Sequence, residues 1–155
     1  MKTHHRLLAF LALATFTGAC GDDGAGPGDG DDPDYTGTWI GQASEDKGGG
    51  PFTPTLILVL SQSGTAITGT YVDSITPTYA DSGSVSGTVM GDSASLTITL
   101  NDPPPITRCS GTLTGSMALE NAGAQLEGWY SGNDCDFLAG GPDPNRNAVF
   151  TLDRQ

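Results

Sequence analysis

From residue 35 to the end, apolar and polar residues alternate in short runs broken by Gly, Pro, Asn and Asp. This period of two is the mark of strands that bury one face, and no stretch keeps a helical period. Eight strands are predicted: Tyr35–Ala43, Thr55–Gln62, Ala66–Asp73, Gly83–Met90, Ala94–Asn101, Arg108–Leu119, Gln125–Ser131 and Ala148–Asp153. The cleanest alternation is Leu96-Thr97-Ile98-Thr99-Leu100, with the aliphatic residues facing inward. Leu56 to Leu60 (LILVL) is apolar on both faces, which predicts a central strand or one covered on its outer side.

One short phrase recurs on several strands: Thr36-Gly37-Thr38-Trp39, Thr68-Gly69-Thr70-Tyr71, Ser86-Gly87-Thr88-Val89 and Ser110-Gly111-Thr112-Leu113. Glycine weakens a strand unless the sheet bends sharply there. Its repetition predicts a strongly coiled sheet that closes on itself and leaves no edge for aggregation. The expected fold is therefore an all-β, eight-stranded antiparallel up-and-down barrel, with a β-sandwich as the alternative.

Asn121-Ala122-Gly123 reads as the turn between the sixth and seventh strands. Cys109 and Cys135 lie equally far from Ala122, so a regular hairpin brings them together. Pairing Leu113 with Tyr130 and Met117 with Leu126 shifts that register by one, which a bulge at Gly128 or Gly132 accommodates. A Cys109–Cys135 disulfide would close a loop of about 27 residues and contribute roughly 3–4 kcal/mol. The longest irregular pieces are Glu45–Pro54, Ser74–Ser82, Asp102–Thr107 and Asp136–Asn147, and loops on a rigid scaffold are frequent binding sites.

The beginning of the chain is of a different kind. Met1–Arg6 is basic, Leu7–Phe16 is apolar, and Gly18-Ala19 precede Cys20. This is the order of a secretory signal, and the apolar run is too short for a permanent membrane helix. The segment Phe16-Thr17-Gly18-Ala19-Cys20 resembles the lipobox of bacterial lipoproteins, with Thr17 where those families usually carry Leu, Val or Ile. The resemblance implies cleavage before Cys20, lipidation of that cysteine and a membrane anchor. Gly21, rather than Asp, follows Cys20, which by resemblance to the sorting rule of enteric bacteria implies the outer membrane. Gly21–Asp34 contains only Gly, Asp, Ala and Pro, the composition of an extended, disordered tether. Asp29, Asp31 and Asp34 lack the fixed turn and bidentate acid of a calcium loop. The organisation expected is thus signal peptide 1–19, lipidated cysteine and linker 20–34, and barrel domain 35–155.

Removal of the signal leaves Lys47, Arg108, Arg146 and Arg154 against eighteen acids, a net charge of −14. That charge excludes an electrostatic footprint for nucleic acid and favours a cationic partner. Both histidines, His4 and His5, lie in the signal, so the mature chain has no Ser-His-Asp or Cys-His arrangement. With Cys20 acylated, Cys109 and Cys135 form an even pair in an oxidising compartment, where a disulfide is the default. Lys47-Gly48-Gly49-Gly50 lacks the strand-to-helix setting of a phosphate loop. Carboxylates remain as acid–base groups, with Glu127 beside Trp129 the best single one. No catalytic residue, metal or cofactor is assigned, and an enzyme is not expected.

Trp39, Tyr71, Trp129 and Tyr130 are the candidate lining of a ligand cavity inside the barrel. Thr36-Gly37-Thr38-Trp39 and Thr68-Gly69-Thr70-Tyr71 resemble the first strands of avidin-type barrels and the Gly-x-Trp start of lipocalins. The resemblance implies an eight-stranded up-and-down barrel; the further tryptophans of a biotin site are missing. The chain is also similar in kind to periplasmic lysozyme inhibitors, small disulfide-bearing β-barrel lipoproteins. The expected function is that of an envelope-anchored binding module. Its alternatives are a lipocalin-like carrier of a small apolar ligand, an inhibitor of a cationic enzyme such as lysozyme, and a carboxylate-based hydrolase. A surface binder would use loop residues such as Phe52 and Tyr79.

Overall fold

Side chains that point alternately in and out along each strand leave one continuous apolar face, which a closed sheet buries completely. The computed structural model of the chain describes residues 33–46, 51–76, 79–101, 111–136 and 141–155. Its strands are β1 (Gly37–Asp46), β2 (Pro51–Phe52), β3 (Thr55–Ser63), β4 (Ala66–Thr76), β5 (Tyr79–Met90), β6 (Ser93–Asn101), β7 (Thr112–Glu120), β8 (Gln125–Asp136) and β9 (Gly141–Arg154). Each long strand pairs antiparallel with the next, and β1 pairs with β9 to close the ring, from Trp39↔Arg154 to Asp46↔Asn147. The two-residue β2 adds only to the end of β1. The protein is thus a closed, eight-stranded, up-and-down antiparallel β-barrel.

The expected strands are present, and several run further than their sequence suggests. β4 and β5 extend through Thr76 and Tyr79, and β8 and β9 through Asp136 and Gly141, so much of two expected loops is ladder. Both extensions carry a register shift, between Ser74 and Thr76 and between Gly132 and Asp134. The proline at 142 sits near the start of β9, where a missing N–H is tolerated. The extension gives the barrel two unlike ends. At the turn end, Gly64 (φ 58°) and Gly91 (φ 63°) make the tight β3–β4 and β5–β6 hairpins. At the other end, called the loop end, β1, β4, β6 and β8 finish at Asp46, Thr76, Asn101 and Asp136.

Inside, large side chains sit beside glycines. β7 and β8 pair without a break from Thr112↔Asn133 to Glu120↔Gln125, which sets Leu113 against Gly132, Gly115 against Tyr130 and Met117 against Gly128. This corrects the expected register: no bulge separates β7 from β8. The irregularity near Gly132 faces β9 instead. At Gly115 and Gly132 the strands approach too closely for a Cβ, so the large side chains Tyr130 and Leu113 meet glycine across the ladder there. A Cβ on Gly115 would meet the carbonyl oxygen of Trp129 and the Cα of Tyr130, and one on Gly69 would meet the carbonyl oxygen of Val59. The recurring glycine phrase marks close strand approach at Gly69 and Gly87, while at Gly37 a Cβ would meet nothing nearer than 3.8 Å.

LILVL resolves in the same way. Leu56, Leu58 and Leu60 enter the core, while Ile57 is half-buried and Val59 is exposed on the outer wall of the closed ring. The turn end is plugged by Tyr35, whose side chain is fully buried and whose hydroxyl reaches the Met117 carbonyl at 3.5 Å. Its carbonyl accepts from Trp39 Nε1 at 3.0 Å, and the Arg154 guanidinium lies 4.5 Å from the centroid of the Trp39 ring.

Candidate functional site

Two places stand out against this frame, one inside the barrel and one on its wall. Inside, three strands carry a charged residue in phase with their core positions. Glu45 follows Trp39 and Ala43 on β1, Asp73 follows Tyr71 on β4, and Arg146 precedes Ala148, Phe150 and Leu152 on β9. All three charged side chains are buried near the loop end. Arg146 Nη2 donates to Glu45 Oε1 at 2.8 Å, to the Tyr71 hydroxyl at 2.6 Å and to Asp73 Oδ2. Its Nη1 donates to Asp81 Oδ2 at 3.1 Å, and Asp81 stands opposite Asp73 on β5. Tyr130 donates to Glu45 Oε1, and Tyr71 to Asp73 Oδ2 at 3.2 Å. The two tyrosine rings meet edge to face at 6.1 Å.

Burial pushes the Tyr71 and Tyr130 hydroxyls well above the usual tyrosine range, against the opposing pull of Arg146. Both therefore stay protonated and act as donors to the carboxylates. Arg146 already faces three carboxylates, those of Glu45, Asp73 and Asp81. A ligand carboxylate would have to displace one of them. Among the described residues, no group of three or more His, Cys, Asp or Glu side chains could hold a metal ion.

The wall offers a different chemistry. A trough of about 640 Å³ crosses the outer faces of β7, β8, β9 and β1. Two rows of outward side chains form its floor. One row runs Ser116–Trp129–Val149–Ser44 and the other Ala118–Glu127–Thr151–Gln42, each residue directly opposite the next. Thr53 and Glu120 also line it. Trp129 is 50% exposed and Val149 is 61% exposed.

The expected cavity lining is therefore split. Trp39, Tyr71 and Tyr130 are buried inside the barrel, but Trp129 lies outside. Trp129 and Tyr130 are successive residues of one strand, and successive side chains point to opposite faces. Glu127 is exposed on that outer face, flanked by Ala118 and Thr151. Phe52 is half-buried on β2, and Tyr79 begins β5. Cys135 pairs with Pro142 in the β8–β9 ladder. Cys20, Cys109 and Lys47, with most of the 20–34 linker, lie outside the described residues. Sequence reasoning missed Arg146, Glu45 and Asp73 as a unit. The available signal was a charged residue in the inward phase of three different strands.

No family model and no curated protein matches the chain. Among solved structures, it is similar to a redesigned β-barrel, with a TM-score of 0.51 and 19% identity over 77% of this chain and 90% of that one. At that identity the likeness concerns the fold: a small antiparallel β-barrel.

Proposed function

We propose that the protein is a lipid-anchored binding module of the bacterial envelope, and that it binds on its outer wall rather than inside. The observation that carries this reading is the position of Trp129, a large aromatic held half-exposed beside Val149 in a trough. Tryptophan is enriched among the residues that anchor binding interfaces. The interior supports carriage of an apolar molecule less well. Tyr35 occupies one end, and a charged cluster lies beneath the other.

The lipid anchor rests on the signal-like start and on Cys20. The described chain enters the barrel at the turn end, where the Asp34 backbone carbonyl accepts from Arg154 and Tyr35 is buried. A tether from Cys20 would thus hold the turn end towards the membrane and present the loop end and the wall outward. The net charge of −14 after cleavage before Cys20 also suits a cationic enzyme such as lysozyme, which makes inhibition the second reading.

Two experiments test the proposal. Cells making the protein should incorporate labelled palmitate into it, and Cys20→Ser should abolish incorporation. The soluble Cys20→Ser protein should then sediment with isolated cell envelopes, and Trp129→Ala should remain in the supernatant. Equal sedimentation of the two proteins would contradict binding through the wall, and so would no sedimentation of either.

A further inference from the structure

The chemistry around Trp129 points to the kind of ligand the trough takes. The ring stands in a row with Val149, so the trough has a flat apolar patch about the breadth of two strands, which lie roughly 5 Å apart. The next row along the strands, roughly 7 Å away, carries Glu127, Thr151 and Gln42 beside Ala118. Ser116 and Ser44 flank the apolar pair on either side. A pyranose ring has the complementary distribution. Its C–H face is apolar and stacks on an aromatic ring, while its rim carries hydroxyls that donate and accept.

We infer that the outer trough over β7, β8, β9 and β1 binds a neutral or amino-sugar glycan, with Trp129 as the stacking platform and Glu127 and Gln42 as hydrogen-bonding groups. The inference rests on the proposed function in taking the wall as the binding face. Charge narrows the class further. Among the described residues the trough lining contains Glu120 and Glu127 and no Lys or Arg, which disfavours a uronate or sulfated glycan there.

The test uses the full mature chain with Cys20→Ser, and chitotriose, cellotriose and tri-galacturonate as probes. Tryptophan emission should shift and saturate with chitotriose or cellotriose and stay unchanged with tri-galacturonate. Read by titration calorimetry, since these variants lack the reporting indole, Trp129→Ala should weaken binding by about tenfold or more, and Trp129→Phe should restore part of it. Gln42→Ala gives an independent reading, with weaker binding and an unchanged melting temperature. No saturable change with chitotriose or cellotriose at millimolar concentration would overturn the inference, as would equal binding by Trp129→Ala. If envelope sedimentation still depended on Trp129 in that case, the glycan would be wrong while the wall remained the binding face.

Discussion

Trp129 on β8 and Val149 on β9 stand directly opposite each other on the outside of the barrel, and both are at least half exposed. A cross-strand pair of this kind contributes roughly 0.2–1 kcal/mol to the sheet, far less than a buried aromatic. Replacing Trp129 by Ala should therefore lower the stability measured by urea unfolding by no more than about 1 kcal/mol. A loss of several kcal/mol would mean that Trp129 is part of the packing rather than of a surface.

Arg146 is the opposite case. It is fully buried and bound to the Glu45 and Asp73 carboxylates. Arg146→Met would leave two carboxylates buried near each other, at a cost of about 3–5 kcal/mol. Adding Glu45→Gln and Asp73→Asn should recover much of that loss, because the charges that need compensation are gone. Urea midpoints of the single and triple variants measure both effects.

The tyrosines predict the alkaline behaviour. Burial raises the folded-state pKa of Tyr71 and Tyr130, so the folded form keeps protons that the unfolded form gives up. Their contribution to stability is complete below the unfolded value, near pH 10, and is lost as pH rises above it. Each should cost about 1.4 kcal/mol per pH unit there. Absorbance at 295 nm should show these two ionising only together with unfolding, and Tyr71→Phe should flatten the pH dependence.

Alternation along single strands made nearly the whole ring legible in the sequence. Leu96, Ile98 and Leu100 all face inward on β6. Closure was legible through the glycines, since Gly69 and Gly87 sit where strands approach too closely for a Cβ. The β7–β8 register was misread because apolar residues were matched with apolar ones, whereas this narrow interior matches Met117 with Gly128 and Leu113 with Gly132. Residues 79–82 and 141–147 were read as loops from their turn-forming composition, which ladder pairing overrode. Trp129 was assigned to the cavity together with Tyr130, against the same alternation that places them on opposite faces. The buried charges were hidden for another reason. Arg146, Glu45 and Asp73 are far apart in sequence, and only closure of the ring brings them within hydrogen-bonding distance.

The β7–β8 turn contains a local cost. Asn121 (φ 52°) and Ala122 (φ 57°) both take the left-handed conformation, and only Gly123 beside them is free to do so. Ala122 is exposed and has no packing role to lose. Ala122→Gly should stabilise the protein by about 0.5–1 kcal/mol, read as a higher melting temperature.

The central claim is that ligand meets the wall and not the interior, and the two tryptophans test it within one sample. Trp39 is buried with its indole N–H held by the Tyr35 carbonyl, and Trp129 lies in the trough. In a ¹H–¹⁵N spectrum of the folded protein titrated with chitotriose, the Trp129 indole peak should move to saturation while the Trp39 peak stays in place. Movement of the Trp39 peak with a stationary Trp129 peak would place the ligand inside the barrel and contradict the account.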